Sequence, residues 1–248
     1  MGRNVIITGT SSGIGKSILE EFSKEKDITI IAHARKPSPQ FELLLKNLNR
    51  ENENLIIPVY FDLINAEHLT GQINNVLKAY KKIDVLVNNA GMIQPNSSFL
   101  MTSLDTIKES FQINFFSQVL LTQLVARSMI RNRIGNIVNI ASIAAFDVTT
   151  AQFEYVTSKA AIVAMTMKLA IELAPFGIRC NAVAPGLIKT KMLENMEKEL
   201  KNNLCHQAAL NRLGMPEEIS KLVYFLASKD SSFINGQTIR VDGGRGVI

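Results

Sequence analysis

Tyr155 and Lys159 stand four residues apart in a stretch with helical character, Phe153 to Ala174, so both side chains leave the same side of that helix. A free phenol ionises near ~10 and is a poor base at neutral pH. An ammonium beside it favours the phenolate and is expected to lower that value. Such a pair can give a proton to a carbonyl oxygen or take one from an alcohol. Ser142 follows an apolar run, Asn136 to Ile140. A hydroxyl at the C-terminal end of a strand points to where wound sheets bind ligands. The plainer readings are a surface Tyr/Lys pair and a serine capping a turn. Ser142 also lacks the nucleophile-elbow setting of hydrolases.

A second kind of chemistry is suggested by Thr8-Gly9-Thr10-Ser11-Ser12-Gly13-Ile14-Gly15, between a strand-like run and a helix-like one. Glycines at 9, 13 and 15 let backbone approach a pyrophosphate, and the helix N-terminus supplies free N–H groups and a favourable dipole. Gly9 and Gly13 are one residue further apart than in the common dinucleotide fingerprint. The next strand ends Ala32-His33-Ala34-Arg35-Lys36. It carries no carboxylate for a ribose 2′-hydroxyl, whereas Arg35 could bond a 2′-phosphate. NADP(H) is therefore expected over NAD(H), which stays possible.

These groups need a frame. Nearly continuous apolar runs mark strands at Asn4 to Thr8, Thr29 to His33, Ile56 to Tyr60, Val85 to Asn88, Asn136 to Ile140, Arg179 to Ala184 and Thr238 to Val241. Runs without alternation suit strands covered on both faces. Helical stretches lie between them, such as Gly15 to Glu25, Leu104 to Arg131, Phe153 to Ala174 and Pro216 to Ala227, with a surface helix expected inside Lys36 to Asn54. The alternation predicts one α/β domain over residues 1–248, a doubly wound Rossmann-type domain with a parallel seven-stranded sheet and helices on both faces. The polar segment Leu187 to Met215 is too long for a connector. It reads as a helical substrate loop.

The ordered set Thr8 to Gly15, Asn88-Asn89-Ala90-Gly91, Asn114, Ser142, Tyr155-x-x-x-Lys159, Pro185-Gly186 and Val241-Asp242-Gly243-Gly244 resembles the short-chain dehydrogenase/reductase family over essentially the whole chain. The resemblance implies a catalytic set of Asn114, Ser142, Tyr155 and Lys159. Asn114 would kink its helix and hold a water linking Lys159 to solvent. Ser142 would orient the substrate carbonyl, and Lys159 would also bind ribose. It implies cofactor contacts at Gly9, Ser11, Ser12, Gly13, Ile14, Gly15, Arg35, Asp62, Leu63, Asn89, Ala90, Gly91, Tyr155, Lys159, Pro185, Gly186, Ile188 and Thr190. Substrate would meet Ser142, Gln152, Phe153, Tyr155, Gly186 and Leu187. A homotetramer is expected as well.

Within the family the chain is most similar to the branch that reduces 3-oxoacyl thioesters on acyl-carrier protein. Of the two arginines that branch offers its carrier protein, Arg133 fits the first, while Phe176 occupies the second. A sugar, polyol or small-ketone enzyme is the alternative. A dinucleotide-binding sensor or scaffold without turnover is the alternative of another class, and the presence of both Tyr155 and Lys159 ranks it lower.

Composition excludes little else. The 248 residues are 46% hydrophobic and 20% charged, ordinary for a globular domain. A net charge of +5 is spread without a basic stripe, so no nucleic-acid partner is expected. Cys180 and Cys205, with His33, His68 and His206, show no metal spacing. No run approaches the ~20 apolar residues of a membrane span, and strand-like sequence begins at once, so a cytoplasmic protein without a signal peptide is expected.

Overall fold

The computed structural model describes residues 2–52, 55–94, 98–147, 152–190 and 205–245. Seven strands form one parallel sheet: β1 (Arg3–Ile7), β2 (Ile28–Ala34), β3 (Leu55–Tyr60), β4 (Val85–Asn88), β5 (Gly135–Ile140), β6 (Ile178–Pro185) and β7 (Thr238–Val241). Their order is β3-β2-β1-β4-β5-β6-β7, as the alternation of runs predicts. Each boundary lies within one residue of its apolar run.

The described helices are α1 (Gly13–Phe22), α2 (Pro39–Asn52), α3 (Ala66–Ala79), α4 (Leu104–Phe111), α5 (Ser117–Asn132), α6 (Phe153–Leu173) and α7 (Pro216–Ala227). Strand side chains alternate between two cores. Val5, Ile7, Ile30, Val85, Val87 and Val138 pack with Ile18, Phe22, Phe41 and Val223, from α1, α2 and α7. Ile6, Ile31, Leu86 and Ile137 pack with Ile73, Val125, Met129 and Leu173, from α3, α5 and α6. Burial on both faces explains why the runs are apolar without alternation.

Leu104 to Arg131 is helical but is not one unbroken α-helix. A π-helical segment, Gln112–Phe116, separates α4 from α5. Such π segments add one residue to the helical register and gather at functional sites. The expectation of a helical loop over Leu187 to Met215 falls for about half its length on residues 191–204, outside the described ones. Its flanks are fixed together: Ile188 bridges Gly214, and the Gly214 N–H donates to the Leu187 carbonyl (2.9 Å).

Because β1 and β4 are neighbours whose crossovers run to opposite sides, the sheet has its switch point between them. Ligands of such sheets bind there, beyond the carboxyl ends of the strands.

Candidate active site

The turn after β1 and the turn after β4 meet at that point. The Thr8 hydroxyl accepts the N–H groups of Asn89 and Ala90, both at 2.9 Å. The Asn89 amide donates to the carbonyls of Thr8 (2.8 Å) and Gly9 (3.3 Å). The packing admits no side chain at Gly15, where a Cβ would lie 2.0 Å from the Gly9 carbonyl oxygen and 2.4 Å from Asn89 Nδ2. Gly9 has φ +72° and abuts Ala90. Ser12 occupies the N-cap of α1 but makes no side-chain capping bond. The first-turn N–H groups of α1 are thus uncapped by that side chain, beside exposed Ser11 and half-buried Gly13 and Ile14. A phosphate fits such a helix start.

Arg35 is exposed just past β2. Asp62 follows β3, and its carboxylate accepts the Ile64 N–H (3.1 Å), with Leu63 buried beside it. On the far side, Pro185 ends β6, and Gly186 donates to the Val241 carbonyl (2.9 Å). Ile188 is buried, and Thr190 reaches the phosphate turn, its Cγ2 lying 3.5 Å from where a Gly13 Cβ would sit.

The proton-transfer groups gather beneath these turns. Ser142 caps a short 3-10 turn, Ile143–Ala145, and its Oγ accepts the Ala144 N–H (3.1 Å). It therefore fills the capping role and also hydrogen-bonds Tyr155. Lys159 is buried, with Nζ 5.8 Å from the centre of the Tyr155 ring, and donates to the Ile140 carbonyl (2.9 Å). Asn114 lies fully buried in the π segment. Its Oδ1 accepts the Met92 N–H (2.7 Å), while Nδ2 donates to the Met92 carbonyl (2.9 Å) and to Ser158 Oγ (3.2 Å). Gly91 makes room for this convergence, since a Cβ there would meet Asn114 Oδ1 at 3.1 Å and Lys159 Nζ at 3.5 Å.

One electrostatic expectation is reversed. The Tyr155 phenol is pushed up, not down: burial dominates, and the hydrogen bond with Ser142 offsets only part of it. Burial also lowers Lys159 to about 8. Desolvation disfavours the charged form of either group, which outweighs attraction across the intervening distance.

On the substrate side, Gln152 starts α6 with φ +59°, and the Phe153 ring meets Phe99 edge-on at 4.9 Å. Leu187 is half-buried. Phe99, Leu100 and Met101 form an exposed apolar lip absent from the sequence reading. The sequence reading also missed the structural tie of Thr8 and the role of His33, whose ring nitrogen receives the Gly9 N–H. A polar residue closing an otherwise apolar strand was the available signal for His33.

A family model described as enoyl-(acyl carrier protein) reductase matches residues 9–245. The chain belongs to the short-chain dehydrogenase/reductase family. It is an oxidoreductase of that family. A 7alpha-hydroxysteroid dehydrogenase of Bacteroides fragilis is 37% identical over 97% of this chain and 93% of its own length. A 3-oxoacyl-acyl-carrier-protein reductase of Buchnera aphidicola is 35% identical over 96% of this chain and 95% of its own. The structure of L-sorbose reductase from Gluconobacter frateurii, complexed with NADPH and L-sorbose, superposes with a TM-score of 0.90 at 26% identity, covering 98% of this chain and 96% of that one. No described helix is long and apolar enough to cross a membrane.

Proposed function

We propose that this short-chain dehydrogenase/reductase is an NADP(H)-dependent carbonyl reductase, with Tyr155 as the general acid. The convergence of Ser142, Tyr155, Lys159 and Asn114 under the glycine turn carries the reading. When bound, the reduced nicotinamide supplies the hydride. Tyr155 gives its phenolic proton to the carbonyl oxygen as that oxygen gains charge, and its raised ionisation keeps the proton in place until then. Ser142 donates a hydrogen bond to the same oxygen. Lys159 brings an ammonium to the ribose side, and Asn114, held by Met92 and Ser158, keeps a path from Lys159 to solvent. The uncapped start of α1 and the glycine cradle accommodate the pyrophosphate. Arg35, with no carboxylate at the end of β2, supports the 2′-phosphate, in keeping with the NADPH of the sorbose reductase structure.

The apolar lip of Phe99, Leu100 and Met101, joined to α6 through the ring of Phe153 two residues before Tyr155, favours an apolar substrate, such as a 3-oxoacyl thioester, over a sugar. Acyl-carrier protein would have a reduced hold. Arg133 is exposed, but its guanidinium donates to the Pro175 carbonyl (3.0 Å), and Phe176 offers no charge. The test is oxidation of NADPH and of NADH against 3-oxoacyl thioesters, keto sugars and small diketones. NADPH with a 3-oxoacyl thioester is expected to be fastest, and a preference for NADH would overturn the Arg35 argument. Tyr155→Phe is expected to bind NADPH while losing at least about 100-fold in turnover, the scale of general-acid catalysis. Full turnover in that variant would sink the mechanism.

A further inference from the structure

His33, the penultimate residue of β2, is 2% exposed, with its ring stacked on Phe61 at 3.9 Å between centroids. Nδ1 lies 3.2 Å from the Gly9 backbone nitrogen, and Nε2 lies 2.9 Å from the Phe61 carbonyl oxygen. An amide N–H can only donate, so Nδ1 accepts. A carbonyl oxygen can only accept, so Nε2 carries the proton. Both partners select the same neutral tautomer, and burial, which lowers this imidazole to about 4, agrees with it. The His33 carbonyl also accepts from the Thr10 N–H (2.9 Å) and the Thr10 hydroxyl (3.0 Å). One residue therefore holds both Gly9 and Thr10, the first by its ring and the second by its backbone.

The ring has two attachments. Gly9, in the left-handed region and pressed against Ala90, opens the phosphate-type turn. Phe61 immediately precedes Asp62, which opens the turn after β3. A rigid disc anchored at both ends sets the relation of those two turns across β2. We propose that His33 is a positioning residue for the dinucleotide: it fixes the glycine turn and the Phe61–Asp62 turn in their binding arrangement without touching the cofactor itself. This rests on the cofactor reading given above.

The experiment compares the wild type with His33→Phe, which keeps an aromatic disc but loses both ring hydrogen bonds, and His33→Asn, whose amide oxygen can take the place of Nδ1. NADPH binding is followed by fluorescence titration, with kcat, KM and thermal midpoints measured alongside. His33→Phe is expected to weaken NADPH binding about tenfold, the scale of one to two hydrogen bonds. Its KM for NADPH should rise likewise, with kcat at saturation within about twofold of wild type. His33→Asn should recover most of the affinity. Imidazole nitrogen NMR of the wild type at pH 7 should show the neutral Nε2–H form. Equal NADPH affinity in wild type and His33→Phe would overturn the role, as would a charged or Nδ1–H ring. Parallel losses of affinity, kcat and thermal midpoint with no recovery in His33→Asn would also overturn it. A wild type that fails to bind NADPH would instead bring down the cofactor reading on which the role depends.

Discussion

Tyr155 and Lys159 are shifted by burial in opposite directions, yet each shift favours the neutral form. For carbonyl reduction the first shift helps, because the phenol must arrive with its proton. The second sets a limit, because the Lys159 ammonium is lost as pH rises through about 8. The kcat/KM for reduction, which reports the free enzyme, is expected to be level from about pH 6 to 7.5. Above about 8 it should fall roughly tenfold per unit. The same group acts oppositely on the fold. Its folded value lies below the ordinary 10.5, so between about 8 and 10.5 the unfolded chain binds more protons, and Lys159's contribution to stability rises with pH. A rate profile flat to pH 10 would remove Lys159 as the titrating group.

At the scale of elements, tight glycines and a slack one can be separated. Gly15 has no room for a Cβ, whereas one at Gly71, inside α3, would meet nothing within 4 Å. Gly71→Ala should therefore stabilise by about 1 kcal/mol and raise the thermal midpoint roughly 2–4 °C. Kinetics should be unchanged. A lower midpoint would show that α3 needs a glycine there for a reason outside the helix. The strands were legible because a doubly covered strand leaves an unbroken apolar run, as at Val85 to Asn88. The glycine turn was legible because its glycines fall between a strand-like run and a helix-like one. The π segment was legible only in part: the resemblance implied a kink at Asn114, but that it is a π turn over Gln112–Phe116 shows only in the structure, where the contacts of Asn114 with Met92 and Ser158 give the reason the register slips. The reversal at Tyr155 was hidden for a similar reason, since four-residue spacing gives direction along a helix but says nothing of desolvation.

The whole molecule leaves apolar surface away from the site. On α6, Met167 and Ile171 are 50% and 75% exposed, four residues apart on one face. Phe116, in the π segment, is 52% exposed. A groove of about 320 Å³ lies between α5 and α6 on the other side of α6 from Met167 and Ile171, lined in part by Val119, Ala126, Ile130, Met165 and Leu169. A helical face of this composition is suited to burial against a second copy, because each hidden apolar Å² stabilises by roughly 25 cal/mol. A two-fold axis would bring the same face of both copies together. A homotetramer of the 27.4 kDa chain is the expected species in sedimentation. Ile171→Glu would place a carboxylate inside that contact and should shift the population towards smaller species, leaving NADPH affinity within about twofold because Ile171 lies well along α6 from Tyr155. A wild-type species of one chain's mass at micromolar concentration would refute the assembly. Its α6 face would then be apolar surface of the kind monomers also carry.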